Sequence, residues 1–359
     1  MLCDKVNMIN KNADCELILG NSNPRFSGVT STMLQNLEFQ QRVMSVRVLG
    51  KHHLQDKSLA ISFWQLAKLA RNPRLDGRYR IFHARRNDEM LQALVLRWLF
   101  RAKFKIVFTS TAQRHHSRYT RWLLSKMDAV ISTCGAAASY LESAPDKIIA
   151  HGIRQDTFHP IADKRQILSD LGLRGTTAIG IFGRVRKQKG VHVFVDACLN
   201  VFPDFPDAVA VIGGAINNSN EALVAELKEK IQAASLQDRI RFLGEQPFDM
   251  VPRLFGAMDV VAALSQNEGF GLTVLEAMAT GAAVIASEAG AWPEIITQGE
   301  TGFVVPVNNV EAVAERMRWL LANPDMRRTM AEKGRDLVLQ KYTVEREARE
   351  LCDFFKTLQ

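Results

Sequence analysis

Glu268 and Glu276 bracket a short string, Gly269-Phe270-Gly271-Leu272-Thr273. The apolar run Asp259 to Leu264 before them reads as a buried parallel strand, and Leu272 to Ala279 after them reads as a helix. Glu268 then belongs at the carboxyl end of a strand, Gly269 and Gly271 at the mouth of the helix, and Glu276 in its first turns. In an open parallel sheet that edge is where ligands bind, and the free amides of a helix start attract phosphate. The plain alternative is a loop carboxylate and a solvated helical one.

Two cations come earlier. Arg184 and Lys189 flank a turn in Gly183-Arg184-Val185-Arg186-Lys187-Gln188-Lys189-Gly190, which follows the apolar run Ala178–Phe182. Two fixed cations beside a departing anion such as a diphosphate match the charge that develops there. Arg186 and Lys187 read as solvated neighbours.

The first half of the chain has its own candidates. Phe26-Ser27-Gly28-Val29-Thr30-Ser31-Thr32 follows the first strand and opens a helix. A small residue at Gly28 lets backbone approach a phosphate or sugar. The alternative there is an ordinary N-cap turn built on Ser27 or Thr30. His83-Ala84-Arg85-Arg86-Asn87-Asp88-Glu89-Met90 ends the third strand and opens another helix. Arg85 and Arg86 at that strand end suit an anionic carboxylate or phosphate gripped bidentately. Alternatively they pair with Asp88 and Glu89 at the helix start.

The elements that position these residues alternate along the chain. Glu16–Gly20, Val43–Gly50, Arg80–His83, Lys105–Thr109, Ala129–Ser132 and Lys147–Ala150 read as strands. Thr30–Gln40, Glu89–Arg101 and Arg118–Lys126 read as helices. The pattern restarts with strands at Ala178–Phe182, Val209–Ile212, Ile240–Leu243, Val260–Leu264 and Ala283–Ala286, separated by helices near 190–201, 220–234, 249–256 and 271–280. Such alternation predicts α/β architecture with parallel sheets covered on both faces. His159-Pro160 marks a break between two such units.

Composition narrows the class. With 359 residues the prior is two domains. Residues 1–160 carry 24 Lys+Arg against 12 Asp+Glu, and residues 161–359 carry 22 against 26, so the positive charge sits in the first half. Between Glu89 and Asp128 there are eight basic residues and no acid. A basic face beside a near-neutral half suits an anionic partner. Nucleic acid is disfavoured: no recognition module is present, and only 8% of residues are aromatic. Five scattered cysteines (3, 15, 134, 198 and 352) without a C-x-x-C pair predict free thiols in a reducing cytoplasm. Met1 to Asp14 lacks the apolar stretch of a signal peptide, and no window is apolar enough to span a membrane.

Taken in order, Gly183–Gly190, Glu268–Glu276, Gly281, Gly290-Ala291-Trp292-Pro293-Glu294 and Gly302-Phe303-Val304-Val305-Pro306 resemble the nucleotide-sugar half of glycosyltransferase family 4, retaining enzymes of the GT-B fold. The likeness covers nearly the whole chain. It implies two Rossmann-like domains facing across a ligand cleft. The N-terminal, acceptor-binding domain would span 1–160 and receive a returning helix within 343–359; the nucleotide-sugar domain would span 161–342. His151-Gly152-Ile153 to Phe158-His159-Pro160 resembles the family linker. By the same likeness Arg184 and Lys189 hold the diphosphate, with Gly183 and Gly28 lining the donor. Glu268 and the backbone of Gly269, Phe270, Gly271, Leu272 and Thr273 hold the donor sugar. Glu276 holds the ribose; a carboxylate accepts two hydrogen bonds, which suits a diol. The implied course is front-face: the acceptor hydroxyl attacks where the diphosphate leaves, and a phosphate oxygen takes its proton. The runner-up makes Glu268 a nucleophile, as in retaining glycosidases.

Where relatives carry a histidine after the fourth strand, this chain reads Thr109-Ser110-Thr111-Ala112-Gln113-Arg114-His115-His116. Either His115 or His116 folds back as the catalytic histidine, or Thr111 and Gln113 substitute at the acceptor. The string around Arg85 and Arg86, with Phe108-Thr109-Ser110 and Ser27–Thr32, is similar to the lipopolysaccharide inner-core mannosyltransferases of rhizobia and related bacteria. That implies transfer of mannose from GDP-mannose to a Kdo residue on a lipid A precursor. The alternatives are a UDP-sugar or another acceptor, or an epimerase or phosphorylase on the same fold. An anionic glycolipid acceptor would place the enzyme peripherally, at the cytoplasmic face of the inner membrane, with the basic end of a helix over Met90–Lys105 at the headgroups. No D-x-D carboxylate pair ends a strand, so neither a metal nor a cofactor besides the donor is implied. Nothing in the sequence bears on oligomeric state.

Overall fold

A computed structural model describes residues 15–359. Met1–Asp14 and Cys3 lie outside the described residues. The chain divides into two compact units. The first takes the described residues up to His151 and adds the closing segment Val344–Gln359; the second is Gly152–Thr343.

The first unit is built on a seven-stranded sheet: β1 (Leu17–Gly20), β2 (Val46–Leu49), β3 (Ala60–Ile61), β4 (Arg80–Ala84), β5 (Phe104–Ser110), β6 (Ala129–Ser132) and β7 (Lys147–Ile148). Every pairing is parallel, in the order β3-β2-β1-β4-β5-β6-β7. Leu17 is in register with Val46 on one side and Ile81 on the other. Both faces are covered, so the strands are apolar throughout rather than alternating. One face is filled by Ile18, Phe82, Phe104 and Leu94. The other is filled by Leu17, Leu19, Ile81, Leu351 and Phe355. The last two come from the helix Val344–Leu358, which packs on the helix Gly28–Gln41.

The second unit repeats the plan with β8 (Thr177–Phe182), β9 (Ala208–Gly213), β10 (Ile240–Gly244), β11 (Val260–Ala263), β12 (Ala283–Ser287) and β13 (Phe303–Val305), in the order β10-β9-β8-β11-β12-β13. These pairings are parallel too. Strand order reverses between β1 and β4 in the first sheet and between β8 and β11 in the second. In open α/β sheets the crevice beyond the carboxyl ends at such a reversal is the ligand position.

Several boundaries differ from the sequence expectation for local reasons. The helix expected over Glu89–Arg101 runs Asn87–Leu99. Its start moves forward because Glu89 reaches back, accepting from the backbone N–H of Arg85 at 2.7 Å and of Arg86 at 3.2 Å. It ends before the basic residues expected at its tail. Phe100 N and Ala102 N both donate to Leu96 O, and Arg101 turns the chain at φ 55°. Lys105 is therefore a strand residue. The unit division falls between His151 and Gly152, ahead of His159-Pro160, since Ile153 N donates to Tyr342 O at 2.8 Å and Phe158 packs edge-on against Phe255.

Candidate active site

At the reversal in the second sheet, the loop after β8 and the loop after β11 lie side by side. Gln266 N donates to Gln188 O at 2.8 Å, and Gln188 Nε2 to Asn267 O at 3.3 Å. Gly190 closes the first loop at φ 72°, where a Cβ would lie 2.2 Å from Leu264 O; only glycine lets the two strand ends approach this closely. The approach brings Lys189 Nζ into a charge-assisted hydrogen bond with Glu268 Oε1. The same oxygen accepts from Ser265 Oγ at 2.7 Å. Ser265 is buried, and its carbonyl accepts from Ser287 Oγ on β12. Glu268 is thus fixed by two donors from two elements.

The string after Glu268 is clamped from the far side. Gly271 has φ 85°, and a Cβ on it would lie 2.4 Å from the indole nitrogen of the buried Trp292. Trp292 Nε1 donates to Gly271 O at 2.8 Å, and Ala291 N to Phe270 O at 3.0 Å. The helix Thr273–Ala279 begins directly after, with Glu276 in its first turn.

Beside this turn is a cavity of about 290 Å³. Gly183, Arg184, Thr273 and Glu276 line it, as the sequence pattern placed them together. Arg184 is exposed, with its guanidinium free of any ion pair among the described residues. The Glu276 carboxyl accepts no hydrogen bond among the described residues, and burial pushes its pKa up to about 7, partly offset by the charge of Lys189. That electrostatic reach connects the Lys189–Glu268 pair to the cavity. The remaining wall was not anticipated from sequence: Gly213-Gly214 at the end of β9, Glu245 and Gln246 after β10, and the apolar set Val251, Leu254 and Phe255. Gly213-Gly214 directly after an apolar strand was the available signal. The apolar wall carried none, because its residues read simply as a helix's core face. Its lining thus combines apolar side chains that suit a flat ring with a carboxylate acceptor and a cation.

The corresponding reversal in the first sheet gathers the Gly28 loop and the two arginines. Arg86 Nη2 donates to Ser27 Oγ at 2.8 Å and to Thr30 Oγ1 at 2.7 Å, and its Nη1 lies 3.6 Å from Glu89 Oε1. Ser27 is the N-cap residue but gives no side-chain cap, because its hydroxyl receives Arg86 instead. A Cβ on Gly28 would meet nothing within 4 Å. Arg85 is placed differently. Its Nη1 is buried without a hydrogen-bond partner, and burial lowers its pKa against the opposing pull of Glu89 and Glu347. Glu89 itself is buried, and desolvation raises it to about 7 despite Arg85 and Arg86.

The histidines are spread over this unit. His116 Nε2 lies 3.5 Å from Ser110 Oγ at the end of β5, and burial lowers its pKa. His115 is exposed and sits edge-on to Tyr140. Thr111 and Gln113 are half-buried in the same loop. Two other histidines make closer contacts. His83 on β4 is fully buried, with Nε2 2.7 Å from Thr109 Oγ1, and burial holds its pKa well below the ordinary value. His151 Nδ1 lies 2.7 Å from Glu347 Oε1 on the closing helix.

Two parallel-sheet units, each with charged loops at its strand-order reversal, define a two-domain α/β enzyme of the GT-B type, built for nucleotide-linked substrates. Residues 163–337 match the family described as "Glycosyl transferases group 1". The lipopolysaccharide core biosynthesis mannosyltransferase LpcC of Rhizobium leguminosarum bv. viciae is 39% identical over 346 residues, covering 96% of this chain and 97% of that protein. The solved C-terminal domain of a group 1 glycosyl transferase, LpcC from Francisella tularensis, is 37% identical with a TM-score of 0.52, covering 54% of this chain and 99% of that one. A glycosyltransferase structure from Rickettsia africae ESF-5, at 19% identity, shares the fold with a TM-score of 0.80 over 96% of this chain and 99% of that one. The chain belongs to the group 1 glycosyltransferases, among enzymes like the lipopolysaccharide core mannosyltransferases. It is a glycosyltransferase, and its donor is a nucleotide sugar. No helix among the described residues is long and apolar enough to cross a membrane.

Proposed function

We propose that this enzyme transfers mannose from GDP-mannose to a Kdo residue of a lipid A precursor, with retention of anomeric configuration, at the cytoplasmic face of the inner membrane. The observation that carries the donor side is the cavity shared by Arg184 and Glu276, with Glu276 inside the electrostatic reach of Lys189, which itself pairs with Glu268. The Glu276 carboxylate takes the ribose diol, since it is an acceptor with no partner of its own. Arg184 and Lys189 hold the diphosphate and stabilise its departure. Glu268, fixed by Lys189 and Ser265, receives hydroxyls of the sugar. The base lies along Val251, Leu254 and Phe255. Guanine presents two adjacent N–H donors on one edge and uracil only one, so the Glu245 carboxylate on the cavity wall favours guanine.

Glu268 already accepts from a lysine and a serine, an arrangement that suits holding a substrate rather than attacking it. The acceptor hydroxyl then attacks from the face that the diphosphate leaves, and a phosphate oxygen takes the proton. On the acceptor side, Arg85 keeps an unpaired Nη1 for a carboxylate, whereas Arg86 holds the Gly28 loop. Thr111, Gln113, His115 and His116 belong to the loop that follows β5, and the His116 ring reaches back to Ser110 at the strand's end.

The test is to incubate the enzyme with a Kdo-bearing lipid A precursor and, in turn, GDP-mannose, another GDP-sugar and UDP-glucose. The expected product carries one α-linked mannose from GDP-mannose. Preference for the UDP-sugar overturns the base assignment, an inverted anomer overturns the front-face course, and transfer only to an acceptor lacking Kdo overturns the acceptor.

A further inference from the structure

The first unit carries an aromatic surface that neither sheet uses. Trp98 and Leu99, at the end of the helix Asn87–Leu99, are 54% and 73% exposed. Trp98 meets Trp122 at 6.1 Å between ring centroids, and Trp122 stacks on Tyr119 at 6.3 Å. On the other side of Leu99, Phe100 meets Trp64, itself 70% exposed, at 5.5 Å. Exposed apolar residues scattered singly are ordinary, but exposed rings in contact with one another, as in Trp98, Trp122 and Tyr119, are not.

The exposed charge interleaved with these rings in sequence is basic, while Arg97 and Arg121 beside them are paired with Asp128 and Glu142. Arg101, Lys103, Arg118 and Lys126 are exposed among these rings in sequence, inside the stretch from Glu89 to Asp128 that contains no acid. Arg101 occupies the left-handed turn that ends the Trp98 helix, a position glycine fills at lower cost. A face of tryptophan and tyrosine ringed by arginine and lysine matches the boundary between lipid headgroups and acyl chains: the rings enter the apolar edge, and the cations meet anionic phosphates.

We propose that Trp98, Leu99, Trp122 and Tyr119, with Arg101 and Arg118, form a surface that inserts into the interface of an anionic lipid bilayer. It rests on the reading above only in that a lipid-linked acceptor gives such docking a use. It also replaces the expected helical basic tail with a different element: the helix end and its aromatic neighbours dock, not a continuous basic helix.

The experiment uses the full-length protein without donor or acceptor, so its outcome is independent of the transfer assay. Protein is floated with vesicles of phosphatidylcholine alone, of phosphatidylcholine with phosphatidylglycerol, and of the same mixture with brominated chains. Wild type should float with the anionic vesicles, be released by high salt, and lose tryptophan fluorescence to the brominated lipid. Trp98→Ala with Leu99→Ala should bind on the order of tenfold more weakly, because the lost apolar area no longer leaves water. The pair is exposed, so its melting temperature should match wild type. Arg101→Glu with Arg118→Glu should also weaken binding while leaving the protein folded. The proposal fails if wild type does not float with anionic vesicles, if it floats without quenching, or if the Trp98 and Leu99 variant binds as wild type does. It fails equally if wild type elutes as a dimer that this variant dissociates, since a second copy would then cover the face.

Discussion

Lys189 and Glu268 form a direct hydrogen-bonded ion pair between the loops that follow β8 and β11. The cation assigned to the leaving diphosphate and the carboxylate assigned to the sugar therefore hold each other before substrate arrives. The pair keeps both charges in place without a ligand, so less reorganisation is needed at the moment of reaction. Lys189→Ala should lower kcat at least about a hundredfold, as when one charge-stabilising donor is removed. Arg184→Ala should fall comparably. Lys187→Ala, which changes an exposed neighbour, should remain near wild type. Steady-state transfer rates check all three. An equal fall in the Lys187 variant would show a diffuse field rather than assigned contacts.

Donor binding should depend on pH with Glu276 at the ribose as proposed. Its pKa of about 7 lies above the ordinary carboxyl range because burial disfavours the charge. Ribose hydroxyls donate to the ionised form, so nucleotide affinity should weaken as pH falls through 7 and recover above it, with a proton released on binding near neutrality. Glu276→Gln should bind more weakly and lose that dependence. Titrating GDP calorimetrically in two buffers of different ionisation enthalpy, on either side of neutrality, measures both affinity and proton release. The stability sign is opposite. A carboxyl whose folded pKa is raised contributes stability below its unfolded pKa of about 4.5 and loses it as pH rises through about 7. Glu276→Gln should therefore narrow the melting-temperature loss between acid and neutral pH.

Arg85 and Arg86 should separate cleanly. Arg86→Ala removes the donors to Ser27 and Thr30, and loss of charge-assisted bonds of this kind costs about 2 kcal/mol. Amide hydrogen exchange should quicken in residues 25–31. Arg85→Ala should leave that loop's exchange unchanged and raise the apparent KM for a Kdo-bearing acceptor, with GDP affinity unaltered. If Arg85→Ala weakens GDP instead, its guanidinium serves the nucleotide.

Two glycines give a contrast. Gly271→Ala forces a side chain at positive φ onto the Trp292 indole, so the second unit should lose stability by about 2 kcal/mol or more, the usual scale of such strain. Gly28→Ala meets nothing. Its melting temperature should be unchanged, while transfer falls if that open space belongs to substrate. Thermal melts alongside transfer rates distinguish the two, and full activity in Gly28→Ala would remove that position from the site.

The second sheet was the more legible part of the chain. Apart from Arg241 in β10, its strands are largely apolar runs because both faces are covered, and β8, β9 and β10 run into or end on a glycine. The candidate donor residues could be picked out from this, since Arg184, Lys189, Glu268 and Glu276 lie in the loops and helix that follow those strands in sequence. Features made by long-range contact were not legible. β3 is only Ala60–Ile61, too short to show a period, and is recruited by pairing with Val48 and Leu49. Val43, expected in a strand, instead donates its N–H to Gln40 O in the turn leaving a helix. The division of labour between Arg85 and Arg86 could not be read either. Adjacent identical residues differ here only because Ser27 and Thr30, far away in sequence, reach one of them.

The closing helix has a consequence for how the protein is made. Leu351, Cys352 and Phe355 belong to the core on one face of the first sheet, yet the whole of Gly152–Thr343 leaves the ribosome before them. At about 5–20 residues per second, the Gly152–Thr343 segment takes roughly 10–40 s to emerge. Throughout that interval the nascent first unit lacks the Leu351, Cys352 and Phe355 part of the core that holds Leu17, Leu19 and Ile81, while the second unit has time to fold ahead of it. A chain stopped at Thr343 would carry all of the second unit but a first unit short of part of its core, so the two halves should differ in resistance to proteolysis.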